Sequence, residues 1–61
     1  MYTIAISDDE KRLVIEMLET EIPELRDEIR HTDDHNYRDA LKEREQRMAA
    51  LLGKLRAASQ G

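Results

Sequence analysis

Cysteine is absent from this 61-residue chain, so no disulfide bond stabilises its fold. Long hydrophobic runs are also absent: no apolar stretch reaches the roughly 20 residues that cross a bilayer, and the apolar start is too short for a signal peptide. A glycine-rich phosphate loop and a serine or threonine in a nucleophile context are missing as well. We therefore expect a cytoplasmic protein that is not an enzyme and has no membrane partner.

Charge is net negative, −4 in total, which disfavours a nucleic-acid partner because phosphates bind positive charge. The charges are unevenly spread: residues 8–28 carry nine acidic and three basic side chains, whereas residues 29–61 carry five acidic and seven basic ones. An acidic first helix beside a mildly basic second helix favours antiparallel pairing within or between hairpins. Alternatively, these charges form two solvated faces that contribute little free energy.

Two apolar stripes of helical period flank the polar residues 31–35. Steps of three and four residues place each stripe on one side of a helix. Because a short polar break brings two such helices back alongside each other, the pattern predicts an all-α, antiparallel two-helix hairpin. The predicted hairpin seam consists of Val14, Leu18, Ile22, Leu25 and Ile29 in the first helix and Tyr37, Leu41, Arg44 and Met48 in the second.

Capping residues set the predicted helix bounds. Helix 1 begins at Asp8, since Ser7 and Glu10 have the spacing of a capping box. It runs to about residue 31 with a kink at Pro23, because the apolar spacing stays in phase across this proline. Helix 2 begins near residues 33–34 and runs to about residue 58. The hairpin thus occupies residues 8–58, between an extended arm at residues 1–7 and a frayed tail at residues 59–61.

A lone hairpin leaves each helix with a single neighbour, so it cannot bury all of its apolar side chains. Because a chain of this length without disulfides needs another source of stability, we expect self-association into a four-helix bundle, most simply a homodimer. Leu13 and Met17 lie outside the first stripe and locate the contact between copies. The predicted interface residues are Tyr2, Ile4, Ile6, Leu13, Met17, Leu51, Leu52 and Leu55.

The N-terminal arm has strand-like alternation, in which Tyr2, Ile4 and Ile6 are separated by Thr3 and Ala5. One strand has nothing to pair with in a single chain. The arm therefore pairs with the arm of a second copy, lies packed across the helices or is frayed, and we favour the packed arrangement.

Arg44 is unusual because it occupies an otherwise apolar stripe. Folding the chain about its polar turn predicts that Arg44 faces Ile22 and Pro23. There its guanidinium can bind Glu21 and the carbonyl of Glu19, which lacks a helical partner because of the proline. Alternatively, its aliphatic stem covers the seam while the charge reaches water. The predicted role is structural in both cases.

Histidine and acidic side chains cluster at the turn, and such residues can bind transition metals. Helix capping explains His31, Asp33, Asp34 and His35 better. Glu28 and His31 have the spacing found in di-iron four-helix bundles, but both lie away from the centre of the apolar stripe. We therefore predict no metal and no cofactor.

Three segments between residues 25 and 55, LRDEIRHTD, YRDALK and LLGKL, resemble short uncharacterised bacterial helical-hairpin proteins, a resemblance that implies no activity. In size the chain is also similar to Rop-type helical hairpins, which dimerise into four-helix bundles and bind paired RNA loops. The favoured interpretation is a homo-oligomeric hairpin that acts by protein–protein association, as an adaptor or regulator, with its own copies or another helical protein. The alternative is a Rop-like RNA-binding dimer that uses Arg38, Lys42 and Arg56.

Overall fold

The computed structural model of the chain describes residues 1–58 and consists of two α-helices in contact with each other. Helix α1 spans Asp8–Arg30 and helix α2 spans His35–Ala58. No strand occurs among the described residues, so the fold is an all-α helical hairpin. The predicted tail at residues 59–61 lies outside this range.

A complete capping box begins α1. The Ser7 Oγ accepts a hydrogen bond from the Glu10 amide at 3.1 Å, and the Glu10 carboxylate accepts one from the Ser7 amide at 2.8 Å. The hydrogen bond from the Ser7 amide, and secondly hydrogen bonding of the Ser7 hydroxyl to the same carboxylate, lower the pKa of Glu10. Because a lowered folded-state pKa favours the carboxylate, the stabilisation is present at neutral pH and is lost as the pH falls through that pKa.

Pro23 lies inside α1, which runs through it without a break. Proline has no amide hydrogen to donate to the carbonyl four residues earlier. Its ring is exposed, so it displaces no core side chain. The kink at this position stays a prediction.

Side chains of the turn form hydrogen bonds with backbone groups at the two helix ends that have no partner within their helix. The Thr32 hydroxyl donates to the carbonyl of Glu28 at 2.6 Å, at the C-terminal end of α1. The Asp34 carboxylate accepts from the amides of Asn36 and Tyr37, at 2.9 and 3.2 Å. Because Asp34 acts as the N-cap, α2 begins at His35, one residue after the predicted range.

The core lies between the two helices and is small. Leu18, Ile22 and Leu52 form one buried cluster. Closer to the turn, Leu25 and Leu41 are also buried. The side chains packed around the cluster are Val14, Ile15, Met48, Ala49 and Leu55.

The buried face of α2 is rotated from the predicted stripe. Tyr37 and Arg44 were expected in the seam but are exposed, whereas Glu45 is half-buried and Leu52 is buried. The apolar positions 41, 48 and 55 of α2 belong to two possible buried stripes of the same period. One stripe adds residues 44 and 51, and the other adds residues 45 and 52. The structure adopts the second stripe, in which Leu52 packs against Leu18 and Ile22 and Glu45 pairs with Arg26 of α1.

The N-terminal arm differs from the predicted packed arrangement. Residues 1–7 have no regular secondary structure, and the side chains of Tyr2 and Ile4 are 96% and 77% exposed. The arm therefore does not cover the helices of its own chain.

Ser7→Ala is expected to lower the free energy of unfolding by about 1 kcal/mol, because it leaves an amide of the first helical turn without an acceptor. Urea unfolding followed by circular dichroism at a fixed protein concentration measures this change. Ser7→Asp is the matched control, since aspartate is an equally good N-cap. Equal stability of the alanine variant and the unchanged protein would contradict the capping role.

Candidate interaction surface

Ion pairs between the helices lie on one side of the hairpin. Arg26 and Glu45 pair across the helices with an Nε–Oε1 distance of 2.8 Å, and Arg56 binds the carboxylate of Glu19. Glu19 and Arg26 are seven residues apart, so they project from the same side of α1. Lys42 joins Arg26 and Glu45 in lining a groove on this side. We call it the closed face.

The opposite side, which we call the open face, combines apolar and charged side chains. One groove of about 240 Å³ on this side is lined by glutamates of α1 and by Tyr37 and Arg44 of α2. An adjoining groove contains Leu13, Met17 and Glu21. Leu51 follows Arg44 by seven residues and so continues the same stripe of α2. The open face consists of Leu13, Met17, Glu21, Glu24, Glu28, Tyr37, Arg44 and Leu51.

The apolar end of the open face lies far from the turn. The side chains of Leu13, Met17 and Leu51 are 56%, 57% and 44% exposed. Met17 is followed by Leu18, and Leu51 is followed by Leu52. Because Leu18 and Leu52 pack in one cluster, Met17 and Leu51 lie at the same height along the hairpin. Leu13 and Met17 line one groove of α1 and Leu51 lies at the same height on α2, so the hairpin itself leaves three apolar side chains largely uncovered at this end.

The charged end of the open face lies next to the turn. The Tyr37 hydroxyl donates to the Glu28 carboxylate at 2.9 Å. This hydrogen bond and the Glu28 charge raise the pKa of Tyr37, while the positive charge of Arg44 opposes the rise. Because these groups are exposed, their interactions contribute little to the stability of the hairpin itself.

The groove on the closed face has a volume of about 510 Å³ and is open to solvent. Four of its charged side chains pair with one another: Arg26 binds Glu45, and Arg30 binds Asp27. In the part of the chain that the structure describes, no buried side-chain nitrogen or oxygen lacks a hydrogen bond. The groove therefore offers no unpaired buried polar group for a ligand.

Several predicted residues take positions that the sequence pattern did not indicate. Leu52, expected in the interface between copies, belongs to the core of the hairpin, and Leu55 packs against that core. Arg44 was expected to face Ile22 and Pro23 beside Glu21. It is exposed on the open face, where it lines a groove with Glu21 and Tyr37. The apolar period of the sequence could not predict the position of Arg44, because the period does not determine how α2 is rotated about its own axis.

The residues with candidate metal or RNA chemistry lie at the end of α1, at the turn and along α2. Across residues 1–58, no group of three histidine, cysteine or acidic side chains is placed to hold a metal ion. Of the basic residues proposed to bind RNA, Arg38 is half-buried, Lys42 lies on the closed face and Arg56 binds Glu19.

Comparisons with protein families, curated proteins and solved structures found no match for this chain. The described helices include none that is both long and apolar enough to cross a membrane. What is established is the class, a helical hairpin, whereas the resemblance to bacterial hairpins and the similarity to Rop-type proteins stay predictions. The role is therefore inferred from the surface of the hairpin.

Glu28→Gln is expected to lower the pKa of Tyr37, because it removes the negative charge that favours the protonated phenol. The raised pKa also means that this interaction stabilises the fold below pH about 10, the pKa of an unfolded tyrosine. The stabilisation is lost as the pH rises through the folded-state pKa.

Ultraviolet absorbance of tyrosinate measures this pKa in a Tyr2→Phe background, where Tyr37 is the remaining tyrosine. Glu24→Gln is the matched control, since it removes the same charge one helical turn away. A Tyr37 titration that Glu28→Gln leaves unchanged would show that α1 and α2 do not meet at this point.

Proposed function

We propose that this protein acts by helix–helix association with a second copy of itself, in which two hairpins, each of two antiparallel helices, form a homodimeric four-helix bundle. The observation that carries the proposal is the apolar end of the open face, where Leu13, Met17 and Leu51 are each about half exposed. Exposed apolar side chains that are clustered on one surface mark interaction sites, whereas scattered ones do not.

The shape of the hairpin supports the same proposal. Its radius of gyration is 13.7 Å, compared with about 10.5 Å for a compact domain of this length. An elongated pair of helices has one layer, whereas stable domains pack at least two layers around a core. A second hairpin on the open face would supply the missing layer.

The size of the core gives a further argument. Five side chains are buried within the described residues, and the chain has no cysteine to form a disulfide. Small folds of this kind gain stability by oligomerisation. We infer that a dimer of this type serves as an adaptor or regulator, since its function would lie in the surfaces it presents.

Met17→Glu and Leu51→Glu are expected to weaken self-association by at least about tenfold. Each replaces an apolar side chain, whose burial contributes about 1.5–3 kcal/mol, with an unpaired charge. Sedimentation equilibrium over a range of concentrations measures the dissociation constant, and circular dichroism monitors helicity.

Ala50→Glu is the matched control for Leu51→Glu, because Ala50 is the adjacent residue, is exposed, and points away from the open face by helical geometry. It should leave the dissociation constant within about twofold of the original value. Dimerisation of Met17→Glu as tight as that of the unchanged protein would remove the open face from the interface.

A further inference from the structure

We propose that the two hairpins pack through their open faces with both turns at the same end of the bundle, so that α1 of each copy lies against α2 of the other. This inference rests on the proposed dimer and adds its interface and orientation. Two hairpins packed face to face by a two-fold axis have two arrangements. An axis parallel to the helices places the turns together, and an axis across the helices places them at opposite ends.

Charge on the helices distinguishes the two arrangements. Helix α1 carries nine acidic and four basic residues, and α2 carries three acidic and six basic ones, so their net charges are −5 and +3. An axis parallel to the helices sets α1 against α2 of the second copy, where opposite charges meet. An axis across the helices sets α1 against α1 and α2 against α2, where like charges meet. Electrostatic complementarity therefore favours turns at the same end.

The division of the open face into an apolar end and a charged end favours the same arrangement. With the turns together, Met17 of one copy lies at the height of Leu51 of the other, and both lose contact with water. With the turns apart, the apolar end of one copy would cover Glu24 and Glu28 of the other. That contact would desolvate carboxylates against apolar side chains, which is unfavourable.

The charged ends also match when the turns lie together. Glu21 and Glu24 of one copy then lie across from Arg44 of the second copy. Within one hairpin, Glu21, Glu24 and Arg44 line a common groove. In the dimer, Arg44 of each copy would also lie beside the glutamates of the other copy. Arg44, exposed beside the acidic stripe, thus becomes a residue that sets partner orientation.

A spin label attached at Asp33→Cys tests the orientation, because Asp33 is exposed in the turn and the chain has no native cysteine. Pulsed electron paramagnetic resonance measures the distance between the two labels of a dimer. Packed helices lie about 8–10 Å apart, so turns at the same end predict a distance below about 25 Å. A helix with the length of α1 extends about 35 Å, so turns at opposite ends predict about 35 Å or more.

These outcomes separate the orientation from the dimer itself. A short distance supports the proposal. A dimeric mass with a long distance overturns the orientation and leaves the proposed association intact. A monomeric mass without dipolar coupling between labels overturns both.

The charge reversal Arg44→Glu gives a second test, in which the sign of the effect is informative. If α2 lies against the acidic α1 of the second copy, the substitution weakens dimerisation by about threefold or more, and added salt reduces the difference. If α2 lies against α2, the same substitution relieves repulsion and strengthens dimerisation. Lys42→Glu is the matched control, since it makes the same charge change on the closed face and should leave the dissociation constant nearly unchanged.

Discussion

Packing of α1 against α2 is the interaction on which the rest of the structure depends. It is centred on Leu18, Ile22 and Leu52, which bury one another between the helices. A helix has only one neighbour in a hairpin, so one stripe of each helix is covered and the remaining surface faces solvent. This geometric limit explains both the small core and the exposed Leu13, Met17 and Leu51.

The two faces of the hairpin differ in how their exposed side chains are arranged. On the closed face, charged side chains of one helix bind those of the other, as in the pairs of Arg26 with Glu45 and Arg56 with Glu19. On the open face, the charges are segregated by helix, and apolar side chains occupy the end far from the turn. The first pattern links the two helices of the hairpin, whereas the second belongs to the face that we propose a second copy covers.

Local sequence signals predicted α1 better than α2. Ser7 and Glu10 form the capping box that their spacing indicates, and Leu18, Ile22 and Leu25 are the buried residues of α1. For α2, positions 41, 48 and 55 belong to two stripes of the same period. Choosing between these stripes depends on which side chains of α1 lie opposite, which no local pattern contains.

The same limit applies to the candidate site. Leu13 and Met17 could be predicted as surplus apolar residues, because they lie outside the stripe that one neighbouring helix can cover. Leu51 and Leu52 are adjacent leucines, and only the rotation of α2 determines that Leu52 is buried while Leu51 is exposed. The position of Arg44 on the open face depends on the same rotation.

The most direct measurement of the central claim is the melting temperature of the unchanged protein as a function of its concentration. If a second copy covers the open face, unfolding is coupled to dissociation, and the melting temperature rises with concentration by mass action. We expect such a rise over a hundredfold concentration range. A cooperative transition whose melting temperature is the same at every concentration would contradict it, because the hairpin would then be stable alone.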